Sequence, residues 1–433
     1  MYLLNYLYFI IITFWGIKFL VQHNGVVKHP LNKKQMLKFD GPELFWTLTF
    51  STGLLAFSAP GRLDLMAIRL LVLEVLCLTG LFVVKRRPVW SAAAIIYLFY
   101  LAWLVIGLSY SPAPGYGFRV ILKYIYPFLV MLFASSVVRH KEVFLKAGLN
   151  ARIVAVISII FSFVPFIDRL VPGVFWTGTA RAIHYISMCV FSLAIFYYGG
   201  RRKKDLWLFT LFMLPCIVWV FRTSIMGSVF ALMTFFFFRY KMKSLPVIGG
   251  VFILFVLSVF LIPSIKDKMF YNGKEKDVQQ LQTGNISMDD INSNGRFAMW
   301  KWSMNKFYSH KKLTGTGTGN LQETFYALRH PFGSIRICHN DYVQIICDNG
   351  LIGLVLFGGS FLALIFHSFF VCQNKRYTID IRICAVTAGA SAAGVMLTLY
   401  TDNVINYTMA TLSYPCGFYG MMLGLIAGYK NKC

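Results

Sequence analysis

Residues 343–371 read VQIICDNGLIGLVLFGGSFLALIFHSFFV and follow a polar cluster, Arg336-Ile337-Cys338-His339-Asn340-Asp341-Tyr342. As a helix, a run of about 20 apolar residues crosses the hydrocarbon core of a bilayer. Comparable runs recur at roughly 3–22, 44–60, 63–84, 90–109, 118–138, 149–166, 182–199, 206–221, 223–238, 245–263, 379–400 and 404–428. Of 433 residues 57% are hydrophobic and 14% charged. Soluble proteins devote about 25% to charge, so a soluble enzyme is excluded. The alternating segments of a transmembrane barrel are missing, and a backbone in lipid must then satisfy itself within helices. The sequence predicts an all-α polytopic membrane protein of about 12–13 transmembrane helices with one large extracytoplasmic, partly helical loop. The first run lacks a basic start and a small-residue cleavage site, and reads as a retained span.

Lys and Arg exceed Asp and Glu by 42 to 17. In a soluble chain that excess would suggest nucleic acid; here its distribution decides. Every second connection is basic: Lys28/Lys33/Lys34/Lys38, Lys85/Arg86/Arg87, Arg139/Lys141/Lys146, Arg201/Arg202/Lys203/Lys204, Arg239/Lys241/Lys243, Lys375/Arg376/Arg382 and Lys430/Lys432. These read as cytoplasmic, with contacts to membrane lipids and none to nucleic acid. The intervening connections carry isolated charges such as Arg62, Arg169 and Arg181, apart from one long segment from Ser264 to Tyr342 that falls on the outer side. Three parts follow: an N-terminal bundle of about ten spans over 1–263, the outer segment over 264–342, and C-terminal spans over 343–433. The cysteines lie mostly in apolar spans and form no disulfide framework, and no His or Cys pair has zinc spacing.

The outer segment concentrates the groups able to do chemistry. Ser293-Asn294-Gly295 supplies turn and cap residues, and Arg296 to Phe307 then reads as a short helix with Phe297, Trp300, Met304 and Phe307 along one side. Gly315-Thr316-Gly317-Thr318-Gly319-Asn320 reads either as a flexible turn or as a backbone cradle for an anion. Arg336, His339, Asn340 and Asp341 crowd the mouth of an apolar run, which is costly unless the groups are used or well paired. Arg222 stands between two apolar runs with hardly any loop, where its guanidinium either snorkels to headgroups or grips phosphate. Asp64, Arg69 and Glu74 in one span, and Asp348 in another, read as helix-to-helix pairing, and His367 as a packed neutral histidine.

Together these features resemble the superfamily of O-antigen ligases and O-antigen polymerases. The ligase pattern of His, then Asn, Ser or Gln, nine residues, Gly, two residues and Gly is met by His339-Asn340, Gly350 and Gly353. The upstream Arg, three residues and Leu is met by Arg222 with Met226 in the Leu position. Asn294-Gly295-Arg296, the helix after it and Leu313-Thr314-Gly315-Thr316-Gly317 are similar to the family's loop.

The resemblance implies a metal-independent, inverting glycosyl transfer, without cofactor, at the outer face of the bacterial plasma membrane. The implied donor is an undecaprenyl-diphosphate-linked glycan. The acceptor is a lipid A core sugar in a ligase, or the end sugar of another lipid-linked repeat in a polymerase. Arg222 and Arg296 would bind the diphosphate, and His339 would act at the transfer centre. The physical case runs parallel: a departing diphosphate gains charge that two guanidinium groups stabilise, and a neutral imidazole can accept the acceptor's proton. His339 is the first candidate base and Asp341 the second, while Arg336, Asn340 and Gly317 are accessory candidates and Gly350 and Gly353 structural. Arg119, Lys123, Arg181 and Arg329 read as solvated or headgroup-facing charges. The rival from another class is a lipid-linked glycan flippase or transporter, which has little need of a large outer segment.

Overall fold

The computed structural model describes residues 3–21, 25–28, 36–58, 65–84, 86–164, 166, 173–218, 222–261, 296–333 and 335–430. Residues 264–295 of the expected outer segment, and Asp64, therefore lie outside the described residues. The described helices are α1 (Leu3–Val21), α2 (Gly41–Thr52), α3 (Leu65–Val83), α4 (Ala92–Ser109), α5 (Pro114–Val137), α6 (Lys141–Phe163), α7 (Gly178–Tyr198), α8 (Lys203–Val218), α9 (Arg222–Tyr240), α10 (Leu245–Leu261), α11 (Arg296–Ser303), α12 (Asn320–Tyr326), α13 (Asp341–Gln373), α14 (Ile379–Thr398) and α15 (Ser413–Lys430). The protein is an all-α polytopic membrane protein. Its described β structure is a small antiparallel pair, β1 (Gly25–Lys28) with β2 (Met36–Phe39), and an isolated bridge between Leu55 and Phe175.

A helix occupies each of the expected apolar stretches. Among the described residues eight helices are long and apolar enough to span a membrane, one of them running from α9 into α10. Two of the expected stretches give shorter helices for local reasons. Helix α2 has 12 residues, a length of about 18 Å against a core of about 30 Å. It stops at Gly53, where a Cβ would lie 2.6 Å from the carbonyl oxygen of Met409. Its Thr47, Thr49, Ser51 and Thr52 hydroxyls return to carbonyls within the same helix, which lets so polar a stretch be buried. The stretch expected over 404–428 becomes α-helical only from Ser413, leaving a connection over 399–412 that holds a single 3-10 turn, Val404–Tyr407.

The C-terminal spans pack inside the N-terminal bundle: α13 lies against α4, α14 against α7 and α9, and α15 against α5. At one end the basic connections meet. Arg139 donates to the Arg87 carbonyl, and Arg239 and Arg382 both lie over the Tyr198 ring. The segment 296–340 closes the other end with its own small core of Met299, Trp300, Phe307, Leu321, Phe325, Cys338 and Cys347. The expected short helix is α11, followed by a π-helical turn over Met304–Tyr308 that keeps Phe307 turned inward.

The charges expected to pair between helices behave differently. Arg69 is buried and donates to the carbonyls of Thr52 and Leu55, so it ties α3 to the end of α2. Asp348 accepts from backbone amides, as described below. The buried ion pair instead joins α6 and α8, Arg152 to Asp205 at 2.7 Å. His367 is a packed histidine whose Nδ1 lies 2.7 Å from the Tyr419 hydroxyl.

Candidate active site

Four chain segments meet at the loop-bearing end: the starts of α9, α11 and α13, and the connection 399–412. The link runs through Thr401. Its carbonyl accepts from Nη1 of Arg296 at 2.5 Å, and its hydroxyl donates to that of Thr223 at 2.9 Å. Thr223 is the neighbour of Arg222, so the first turn of α9 is brought to Arg296. The side chain of Arg222 lies outside the described residues. Burial lowers the pKa of the Arg296 guanidinium, and the carboxylate of Asp402 pulls it back up.

His339 sits at the centre of this cluster, just before α13. Its backbone is left-handed, at φ +53°, a conformation more open to His than to most side chains. The turn is held because the His339 amide donates to Oδ1 of Asn403. Its Nδ1 lies 3.2 Å from Oδ1 of Asp402, and 29% of the imidazole side chain is exposed. Asp402 therefore orients a partly exposed ring through Nδ1.

Asn340 and Asp341 are built differently. Asn340 is the N-cap of α13, its side chain accepting from the Val343 amide, while its buried Nδ2 has no partner among the described residues. Asp341 is fully buried: Oδ1 accepts from Nδ2 of Asn403, Oδ2 from the Ile405 amide, and its own amide donates to the Leu399 carbonyl. Those bonds give it the place of an anchor that locks the connection 399–412 onto α13. Asn403 serves both ends of the lock, since it also donates to Gln344.

The glycine-rich stretch is neither a loose turn nor an anion cradle. The amides of Gly315, Thr316, Gly317 and Thr318 donate to the carbonyls of Lys311, Cys347, Asp348 and Gly107, and Gly319 donates to Oδ2 of Asp348. Oδ1 of Asp348 accepts from the Leu321 amide, so the carboxylate caps the start of α12. Gly317, an accessory candidate, is thus a packing residue: φ is +107° and a Cβ would come within 2.4 Å of Ser111. Gly350 interrupts α13 at φ +67°, where a Cβ would lie 2.1 Å from the Leu313 carbonyl oxygen. The break frees the amides of Leu351 and Ile352 to bond Lys312 and Leu313. Gly353 fits beneath the Asn349 side chain.

Of the remaining candidates, Arg336 is exposed and donates to the Tyr326 carbonyl rather than to a group of the His339 cluster. Arg181 is buried rather than solvated, donating to Trp176 and Ser162. Lys123 points inward and donates to Asn406 at 2.6 Å. Asp402 and Asn403 were not singled out in the sequence. They lie more than sixty positions beyond His339, in the short connection between the expected runs 379–400 and 404–428, and only the DN pair itself marks them.

Directly beneath the cluster a groove of about 580 Å³ runs between α9, α13 and α14. Tyr342 and Tyr400 stand at its top, next in sequence to Asp341 and Thr401, and Met396, Phe361, Leu362 and Phe230 line its apolar walls. Among the described residues, no group of three or more His, Cys, Asp or Glu side chains gathers closely enough to hold a metal ion.

Residues 220–358 match the O-antigen ligase family. The matched stretch runs from the start of α9 through the long connection before α13 into α13, and so holds Arg222, Arg296, His339, Gly350 and Gly353. It supports the superfamily of O-antigen ligases and polymerases to which the residues pointed. Asp402 and Asn403 fall beyond its end. No curated protein matches the chain.

Proposed function

We propose that this O-antigen ligase-family protein is a membrane glycosyltransferase. In this reading it moves a glycan from a polyprenyl diphosphate to a sugar hydroxyl, with the loop-bearing end facing outward. The observation that carries it is the convergence of Arg296, His339 and Asp402 with the start of α9 at Thr401, above an apolar groove. The basic connections gathered at the opposite end support the orientation.

The acceptor oxygen attacks the anomeric carbon from the face opposite the leaving group, and the bond from that carbon to the diphosphate oxygen breaks with its electron pair. The hydroxyl proton passes to Nε2 of His339, held in place through Nδ1 by Asp402. Arg296, with Arg222, meets the charge that grows on the departing diphosphate. In a site shielded from water that stabilisation is large. The groove takes the first isoprene units of the carrier.

Ligase activity toward a lipid A core is the finer reading, and polymerisation of lipid-linked repeats uses the same centre. Purified protein in nanodiscs, given a polyprenyl-diphosphate glycan and a sugar acceptor, is expected to form a glycosidic bond. Folded Arg296→Ala and Arg222→Ala variants are expected to lose it. Normal transfer by both variants would overturn the diphosphate site, and no bond from the unaltered protein would point to a transporter. In the native host, deletion of the gene is expected to leave long glycan on its carrier with bare core for a ligase, or single repeats on the core for a polymerase.

A further inference from the structure

We infer that the loop-bearing end also carries a platform for an acidic saccharide, built from Tyr116 and Arg119 on α5 and Tyr326 and Arg336 on the outer segment. The inference rests on the glycosyltransferase reading and names the class of glycan handled there. The four side chains form a continuous ladder. The Arg119 guanidinium lies 5.4 Å from the Tyr116 ring centre, the Tyr116 and Tyr326 rings are 5.7 Å apart, and the Arg336 guanidinium lies 5.6 Å from the Tyr326 ring. Arg119, Tyr326 and Arg336 are exposed.

A Tyr–Tyr contact alone would hold α12 to α5. Arg336 also donates to the Tyr326 carbonyl, but among the described residues neither Arg119 nor Arg336 has a carboxylate within ion-pair reach. Guanidinium groups held over rings offer forked donors that match carboxylate or phosphate, while tyrosine rings offer broad amphipathic area at small entropic cost. Sugars bearing acid groups combine the two chemistries. The ladder also leads to the transfer centre: Arg336 is three residues from His339, at most about 10 Å along the chain. One turn below Arg119, Lys123 reaches Asn406, four residues after Asp402.

The test is direct binding to the full chain in neutral-lipid nanodiscs, with tetragalacturonate as the probe, maltotetraose as its uncharged counterpart and inorganic phosphate as competitor. Tetragalacturonate is expected to bind at least about tenfold more tightly than maltotetraose. The advantage should be lost in R119Q/R336Q and reduced in Tyr326→Ala, with unfolding temperatures unchanged. Equal binding of the acid probe by the double variant would overturn the platform. Displacement by phosphate at equal concentration would also do so, by reducing the site to a patch for any anion or headgroup. His339→Ala is expected to bind the probe normally, so failure of the catalytic reading would leave this result standing, and the reverse.

Discussion

At the residue scale the weight falls on His339 and the two side chains that hold it. Asn403 fixes its backbone in the left-handed region and Asp402 its ring. A group that accepts a proton in the transition state contributes about 10²–10⁴ in rate, so His339→Ala is expected to lower transfer by that factor with unchanged binding of donor. Asp402→Asn keeps the shape but can present an N–H to Nδ1, disturbing ring orientation and tautomer, and is expected to cost at least about tenfold in turnover. Transfer rates measured beside thermal unfolding separate these losses from misfolding. An Asp402→Asn enzyme of full activity would remove the positioning role. His339 and its Asn-x9-Gly-xx-Gly sequel were legible as a spacing along the chain, whereas Asp402 was not, because a carboxylate 63 positions away enters the site only when α14 and its following connection fold back.

At the element scale, the break in α13 fastens the outer segment. Gly350 allows the break, and Asp348 caps α12 across it. Gly350→Ala places a Cβ against the Leu313 carbonyl in a conformation alanine resists, and is expected to cost more than about 3 kcal/mol and the yield of folded protein. Gly358, in the same helix, has open space around it, and Gly358→Ala should be neutral or stabilising by up to about 1 kcal/mol. Unfolding temperatures of the two variants in one detergent decide this, and similar values would show that the break is not required. The sequence offered Gly350, with Gly353, as a motif. That the glycine-rich turn over 315–319 exists to meet this break is a fact of packing, since its amides find their acceptors on α13 and α4.

Over the whole molecule, the helices are held by apolar packing with few buried charges. Among those of the described residues, Arg152, which also lies over the Phe191 ring, and Asp205 form a buried ion pair. Arg152→Ala is expected to cost about 3–5 kcal/mol by stranding the carboxylate, while Arg152→Met with Asp205→Leu should recover most of it, as read by thermal unfolding in detergent. No recovery would mean the pair positions α8 rather than merely neutralising itself. Orientation is tested by a cysteine at Gln282: an impermeant maleimide should label it in intact cells against a low background, because the eight described cysteines are buried. Protection of that cysteine would reverse the proposed topology.

The sequence by itself determined the membrane class, the approximate places of the apolar helices, the end at which basic residues gather and the His339 motif. Hydropathy, charge and spacing are properties of adjacent residues, and a bilayer reads them with little regard for the rest of the chain. The tertiary structure alone decided that Asp341 is an anchor, that Asp348 is a cap, that Arg181 and Lys123 turn inward, and that Asp402 stands behind His339. Each of those roles depends on which buried polar group finds which partner. In an interior without water that choice is made by the packing of helices distant in sequence.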